Sequence, residues 1–204
     1  MTDRSWSFEQ IQTEFTGCET LGEVVRKLEF LAAVNGEVVC EIRVNEKMLA
    51  DDIDDVQSQA GVSDIQSISM KSELPESLIA QALNSAIGFI GLLSDASIQT
   101  SELFRDGDVR PGNERFREVI DGCQWFVETL SHARGAASGL GRPVESAERW
   151  HAAERMLFKV VEELTETFDR RDMIVVADIL EFELTAALEM WRPILLHEVN
   201  RRSV

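Results

Sequence analysis

The sequence has 204 residues, 44% of them hydrophobic, which suits one large domain or two small ones with a sizeable core. Its 37 acidic residues exceed its 20 basic ones by 17, so binding to nucleic acid or to an anionic membrane surface is not expected. The excess acid is spread along the chain, which is typical of charge that keeps a protein soluble.

Cysteine usage and the N-terminus both indicate a cytoplasmic protein. Cys18, Cys40 and Cys123 are odd in number and far apart, which predicts reduced thiols and no disulfide framework. Residues 1–20 lack the apolar segment of a signal peptide. The longest apolar stretches contain acidic residues, so we expect no membrane span.

Residues 1–73 predict a small α/β unit that begins with a helical arm. Four apolar residues within 1–17 are spaced like one face of a helix: Trp6, Phe8, Ile11 and Phe15. A helix is predicted over 21–33, because apolar residues form one stripe there. Thr20 and Glu23 make the capping-box pattern at its start.

Alternating apolar residues predict three strands in the same unit. The first covers 38–45, with Val38, Cys40, Ile42 and Val44 on one side. A turn at 45–47 leads into a short strand at 48–50, and a third strand covers 65–71. Between them lie Asp51, Asp52, Asp54 and Asp55, which lack the Gly and Glu of an EF-hand and instead predict a solvated helix start.

The remaining residues, 74–204, predict an antiparallel four-helix bundle, so the fold class is α+β. Pro75 suits the first turn of a helix. The predicted helices cover 76–105, 114–133, 145–168 and 172–200, joined by short loops. Loops are predicted at 106–113 and, from its glycines, at 134–143. Gly88 and Gly91 within the first helix indicate a kink or a close helix crossing.

The last helix carries apolar residues on two sides, which predicts burial on both. One side contains Met173, Val176, Leu180, Leu184, Leu188, Trp191 and Leu195. The other contains Val175, Ile179, Phe182, Ala186 and Met190. Trp125 is likewise off the apolar stripe of its helix. Either other parts of the chain cover this surplus, or it forms a partner surface.

No motif predicts a catalytic residue, a cofactor or a metal site. Gly135, Gly139 and Gly141 do not match a dinucleotide fingerprint, and the loop lacks a preceding strand. Di-iron bundles need two Glu-x-x-His pairs, whereas the chain has one, Glu148 with His151. Cys123 and His132 are too far apart along their helix to form a catalytic pair through that spacing alone.

The helix–loop–helix segment Ala86–Leu130 resembles the bacterial flagellar export chaperones, which are small all-helical proteins. This resemblance implies a bacterial protein that binds an amphipathic segment of another protein in a groove between helices. The α/β unit that precedes the segment departs from the simple chaperone plan. The resemblance defines no site residues.

These observations favour a non-catalytic, chaperone-like adaptor that uses apolar helix faces to bind a protein partner or a second copy of itself. The candidate interaction residues are Trp125, Val175, Ile179, Phe182 and Met190. The alternatives are a bundle that binds a metal or small ligand, and an enzyme whose motif is not recognisable. No cofactor is expected.

Overall fold

The computed structural model describes residues 1–49, 58–145 and 147–202. The fold is mixed, with a small antiparallel sheet of four strands followed by about six helices. The chain divides into two compact units, Met1–Leu78 and Ile79–Val204. The aspartate cluster predicted to begin a helix lies outside the described residues.

The N-terminal unit packs two helices against one face of the sheet, and their apolar side chains share one core. The strand order is β1-β4-β2-β3, with all neighbours antiparallel. Its α-helices and strands are β1 (Thr2–Ser7), α1 (Phe8–Glu14), α2 (Leu21–Val34), β2 (Val38–Val44), β3 (Lys47–Met48) and β4 (Ser67–Glu73), and a 3-10 turn covers Val62–Asp64.

The prediction of a helical arm over 1–17 is wrong for its first half. Residues 2–7 form β1, which pairs with β4 from Thr2 opposite Ser72 to Ser7 opposite Ser67. This partner strand is 60 to 70 residues away in sequence, so no local pattern indicates it. Only the second half is helical, beginning where the Ser7 N–H donates to the Gln10 side chain at 2.8 Å.

The predicted helix α2 and the hairpin after it are confirmed. The Thr20 hydroxyl accepts from the Glu23 N–H at 3.4 Å, and Asn45 and Glu46 have the positive φ values of a tight hairpin turn, 50° and 67°. The alternation predicted for β2 is wrong at one point. A β-bulge between Val39 and Glu41 places Val39, instead of Val38 or Cys40, against the core.

The second unit has one continuous core, to which each of its helices contributes buried residues. Its helices, the first of which begins just before the unit boundary, are α3 (Pro75–Arg105), α4 (Val109–Gly139), α5 (Ala147–Asp169), α6 (Met173–Asp178), α7 (Thr185–Glu189) and α8 (Trp191–Arg202). A π-helical segment, Ile179–Leu184, joins α6 to α7.

Helix α4 extends beyond both predicted ends, so two predicted loops are partly wrong. It begins at Val109, and Pro111 lies in its first turn, where a missing N–H costs little. It continues to Gly139 through the stretch predicted to be flexible. Ala133 and Ala137 are buried there, and this packing outweighs the low helix propensity of the glycines.

The close helix approach predicted at Gly88 and Gly91 occurs elsewhere. A Cβ at either position would have no neighbouring heavy atom within 4 Å. A Cβ at Gly112 would instead lie 2.7 Å from the Phe104 ring, and one at Gly122 would lie 2.8 Å from a methyl group of Leu93. The glycines that permit close packing are therefore on α4.

The prediction of one regular helix over 172–200 is wrong because a π turn interrupts it. Val176, Leu180, Leu184 and Leu188 are all fully buried. Their four-residue spacing would drift by about 40° per step around a regular α-helix. The wider π turn reduces this drift and keeps all four on the core side. Ile179 follows Val176 by three residues, lies on the same face and is buried with it, at 2% exposure.

Helix α3 is long and apolar enough, by length and composition, to cross a membrane, although the sequence predicted no span. One such helix is weak evidence, because a core helix of a soluble protein has the same composition. In this structure one side of α3 packs into the core through Ile79, Leu83, Ala86, Ile90 and Leu93.

Candidate protein-binding groove

Helices α4 and α5 border an open apolar groove within the second unit. One cavity of about 330 Å³ lies between Ile120 and Val127 on α4 and Phe158 and Val161 on α5. Cys123 and Leu157 lie at its floor, both almost fully buried, whereas Phe158 is 55% exposed.

A second cavity, of about 200 Å³, continues the groove toward the other end of the helix pair. Ile120 lines both cavities, so the two are adjacent. The rings of Phe116 and Phe168 are stacked here, with centroids 4.1 Å apart and planes only 4° from parallel. An apolar groove with two pockets is the kind of surface that receives side chains of an amphipathic helix.

The edges of the groove are polar, and three of their four charged residues are acidic. Arg117, Asp121, Gln124 and Glu128 follow one edge of α4 at intervals of four and three residues. Thr165 and Asp169 follow the facing edge of α5. The Gln124 side-chain amide donates to Glu128 Oε1 at 2.8 Å. An apolar floor between charged edges is characteristic of a protein-binding groove.

The reactivity of the Cys123 thiol indicates whether the floor of the groove is closed to solvent. Burial raises the pKa of its thiol from 9.0 to about 12. At pH 8 only about one molecule in ten thousand would carry the thiolate that reacts with disulfide reagents. In the unfolded chain the thiol ionises near its ordinary pKa, so this group stabilises the folded state below pH 9 and loses that contribution as pH rises toward 12.

We therefore expect dithionitrobenzoate at pH 8 to modify Cys40, which is exposed, at least 100-fold faster than Cys123. Peptide mapping of partly labelled protein measures the two rates. Labelling in urea is the control, because the rates should become similar once the chain unfolds. Equal rates in the native protein would contradict a closed floor.

Four of the five predicted interaction residues lie on the C-terminal run, which comprises α6, the π segment, α7 and α8, and three of these four are exposed. Val175 is 42% exposed, Phe182 60% and Met190 43%. Trp125 on α4 is 44% exposed, and its ring packs edge-on against Phe89 with centroids 4.6 Å apart. Ile179 is the exception, since its burial removes it from the predicted face.

An ion-pair cluster partly covers Phe182. The Arg105 guanidinium donates to Asp178 Oδ1 at 2.8 Å and also to Glu181. Its carbon atom lies 5.9 Å from the centre of the Phe182 ring, within the range of a cation–π interaction. These contacts fix the C-terminus of α3 to the π segment and reduce the apolar surface that Phe182 offers to a partner.

The described side chains form no candidate metal-binding site. Within residues 1–49, 58–145 and 147–202, no three His, Cys, Asp or Glu side chains are arranged to hold an ion. His151 Nδ1 lies 3.1 Å from Glu154, and Arg134 donates to the same carboxylate. The Glu154 cluster therefore joins α4 to α5, and His151 makes its contact with Glu154 instead of Glu148.

Sequence reasoning missed Phe158, the most exposed aromatic residue in the groove. It lies beside the buried stripe of α5, which contains Trp150, Ala153, Leu157, Val160 and Leu164. A phenylalanine one position off such a stripe was the available signal. The sequence provided no comparable signal for Ile120 and Val127, because both occupy positions typical of a helix core.

A family model described as a domain of unknown function (DUF8042) matches residues 81–194, more than half of the chain. The chain belongs to the DUF8042 family. No curated protein and no solved structure matches it. The DUF8042 region lies within the second compact unit and includes all the residues that line the groove.

Proposed function

We propose that this protein is a non-catalytic adaptor or chaperone-like module that binds an α-helical segment of a protein partner in the groove between α4 and α5. The open apolar groove is the observation that carries the proposal, because soluble proteins seldom leave a lined apolar cleft exposed without a ligand. In this proposal the protein is cytoplasmic, and α3, α4, α5 and the C-terminal run form an antiparallel four-helix bundle that keeps the groove rigid.

A second copy of the chain is the less favoured occupant. Each copy carries a net charge of −17, and the groove itself has acidic edges, so two copies would repel each other. Native mass spectrometry at several protein concentrations measures whether the chain self-associates.

A photo-crosslinker placed at position 158 tests the proposal directly. We expect p-benzoyl-phenylalanine in place of Phe158 to crosslink a defined segment of a partner in extracts. The same group in place of Phe182 tests the predicted face of the C-terminal run, and in place of Phe30, which is 66% exposed on α2, serves as the control. A synthetic peptide of the crosslinked segment should compete, and Phe158→Glu should weaken its binding at least tenfold.

Circular dichroism and the melting temperature should be unchanged in Phe158→Glu, since the side chain is already half exposed. The proposal fails if position 158 crosslinks no segment, or only those that position 30 also captures. Crosslinking from position 182 alone would place the binding surface on the C-terminal run and contradict the proposal that the partner binds in the groove.

A further inference from the structure

The charges along the groove select among the segments that could enter it. Asp121 and Glu128 on α4 and Asp169 on α5 line the cavities, and Arg117 is the single cation among the lining residues. Glu162 is exposed and lies on the same edge of α5, four residues after Phe158 and seven before Asp169. Four carboxylates therefore face one guanidinium.

Three of these carboxylates have no internal partner. In the part of the chain that the structure describes, the side chains of Asp121, Glu162 and Asp169 make no hydrogen bond or ion pair. The nearby Glu154 carboxylate, by contrast, accepts hydrogen bonds from Arg134 and Trp150 and also contacts His151. Unpaired acids beside an apolar floor leave a local negative potential that attracts cations.

The positions of the two cavities set the spacing of the side chains that would fill them. On α4 their linings are centred about six residues apart, and on α5 about nine. At a rise of 1.5 Å per residue these offsets correspond to roughly 9–13 Å. Two anchors at i and i+7 on a partner helix lie about 10.5 Å apart and on the same face.

We propose that the groove binds a basic amphipathic helix that inserts two apolar anchors, spaced i and i+7, into the two cavities and places Lys or Arg against the carboxylates of Asp121, Glu162 and Asp169. This inference rests on the proposed function and names the chemistry of the partner. The acidic edges orient and select the segment, while the apolar floor supplies most of the affinity.

Four 18-residue helical peptides test the proposal against the full chain. The first has leucines at i and i+7 with lysines on both flanks. The second and third replace the lysines with glutamine and with glutamate. The fourth keeps the lysines but moves the second leucine to i+5, off the common face. Fluorescence anisotropy at 50 and 500 mM NaCl gives the dissociation constants.

We expect the lysine peptide to bind at least tenfold more tightly than the glutamate peptide at 50 mM NaCl. Salt should reduce this ratio to about threefold or less at 500 mM, because exposed charge pairs are screened. The i+5 peptide should bind at least fivefold more weakly than its i+7 counterpart.

A pair of double variants assigns the charge effect to the groove. Asp121→Asn with Asp169→Asn should weaken binding of the lysine peptide about fivefold and leave the glutamine peptide unchanged. Asp95→Asn with Glu102→Gln removes the same charge from exposed positions on α3 and should have little effect. Equal losses from the two double variants would overturn the proposal, since net charge alone would then explain the preference.

The failures of the two proposals are distinguishable. If the lysine, glutamine and glutamate peptides bind equally, the basic partner is overturned and the groove remains a binding site. If no peptide binds but position 158 crosslinks a partner segment, the proposed helix with anchors at i and i+7 is wrong, whereas the groove remains a binding site. If neither occurs, both proposals fail together.

Discussion

Trp150→Ala is expected to lower the free energy of unfolding by about 3–5 kcal/mol, which is the range for deleting a large aromatic side chain from a core. Trp150 is fully buried, and its ring meets that of Trp191 edge-on with centroids 5.0 Å apart. Its indole N–H donates to Glu154 Oε1 at 3.1 Å. The substitution leaves a cavity beside Trp191 and removes one donor from Glu154.

Urea unfolding followed by circular dichroism measures this loss. Trp150→Phe should cost less, because it retains an aromatic ring and loses mainly the hydrogen bond. Phe158→Ala is the matched surface control and should stay within about 0.5–1 kcal/mol of the wild-type value, since the side chain is largely exposed. Equal losses for Trp150→Ala and Phe158→Ala would show that Trp150 is not in a tightly packed core.

Glu198→Ala is expected to cost about 3–5 kcal/mol, because it removes the carboxylate of a buried ion pair. The Glu198 carboxylate is fully buried. One oxygen accepts from the Glu145 N–H at 2.8 Å, and the other accepts from Arg201 at 2.8 Å and Arg202 at 3.4 Å. The Arg202 side chain is itself only 2% exposed, so water cannot replace the lost carboxylate.

These contacts also hold residues 142–145, which precede α5, in place. Arg201 donates to the carbonyl oxygen of Pro143 at 2.9 Å, and Arg202 to that of Arg142 at 3.0 Å. Glu198→Ala should therefore increase hydrogen exchange at the Glu145 amide as well as lower stability. Glu198→Gln should cost less, because its side-chain oxygen can still accept from that amide.

Glu189→Ala is the matched control for Glu198→Ala. Glu189 pairs with Arg192 at 2.7 Å on the same helical run, and this pair lowers the pKa of the Glu189 carboxyl, but both side chains are well exposed. Its loss should cost at most about 1 kcal/mol, as is usual for surface ion pairs. If the two substitutions have the same effect on the urea midpoint, Glu198 does not act as a buried clamp.

The errors of the sequence-based prediction have two physical sources. The first is long-range pairing, since β1 exists only because β4 supplies hydrogen-bond partners from a distant part of the chain. The second is tertiary packing that overrides local propensity. Gly135 and Gly139 predict a flexible loop, yet they lie in α4 because the neighbouring Ala133 and Ala137 are buried.

The sequence indicated more apolar side chains than one core stripe requires and left open whether the chain covers them. Phe182, Met190, Val175 and Trp125 are exposed, whereas Ile179 is buried. The sequence did not indicate the groove, because a groove depends on how two helices are spaced and on which of their residues face each other. Phe158 acquires its role only through its place opposite α4.

The sequence by itself determined the acidic charge, the helix-rich C-terminal part, helix α2 and the hairpin after it, because each follows from composition or from local periodicity. Tertiary structure alone decided the strand β1, the length of α4, the π turn, the burial of Ile179 and the acid-edged groove. Each of these depends on contacts between residues far apart in the chain, whose energies no local pattern contains.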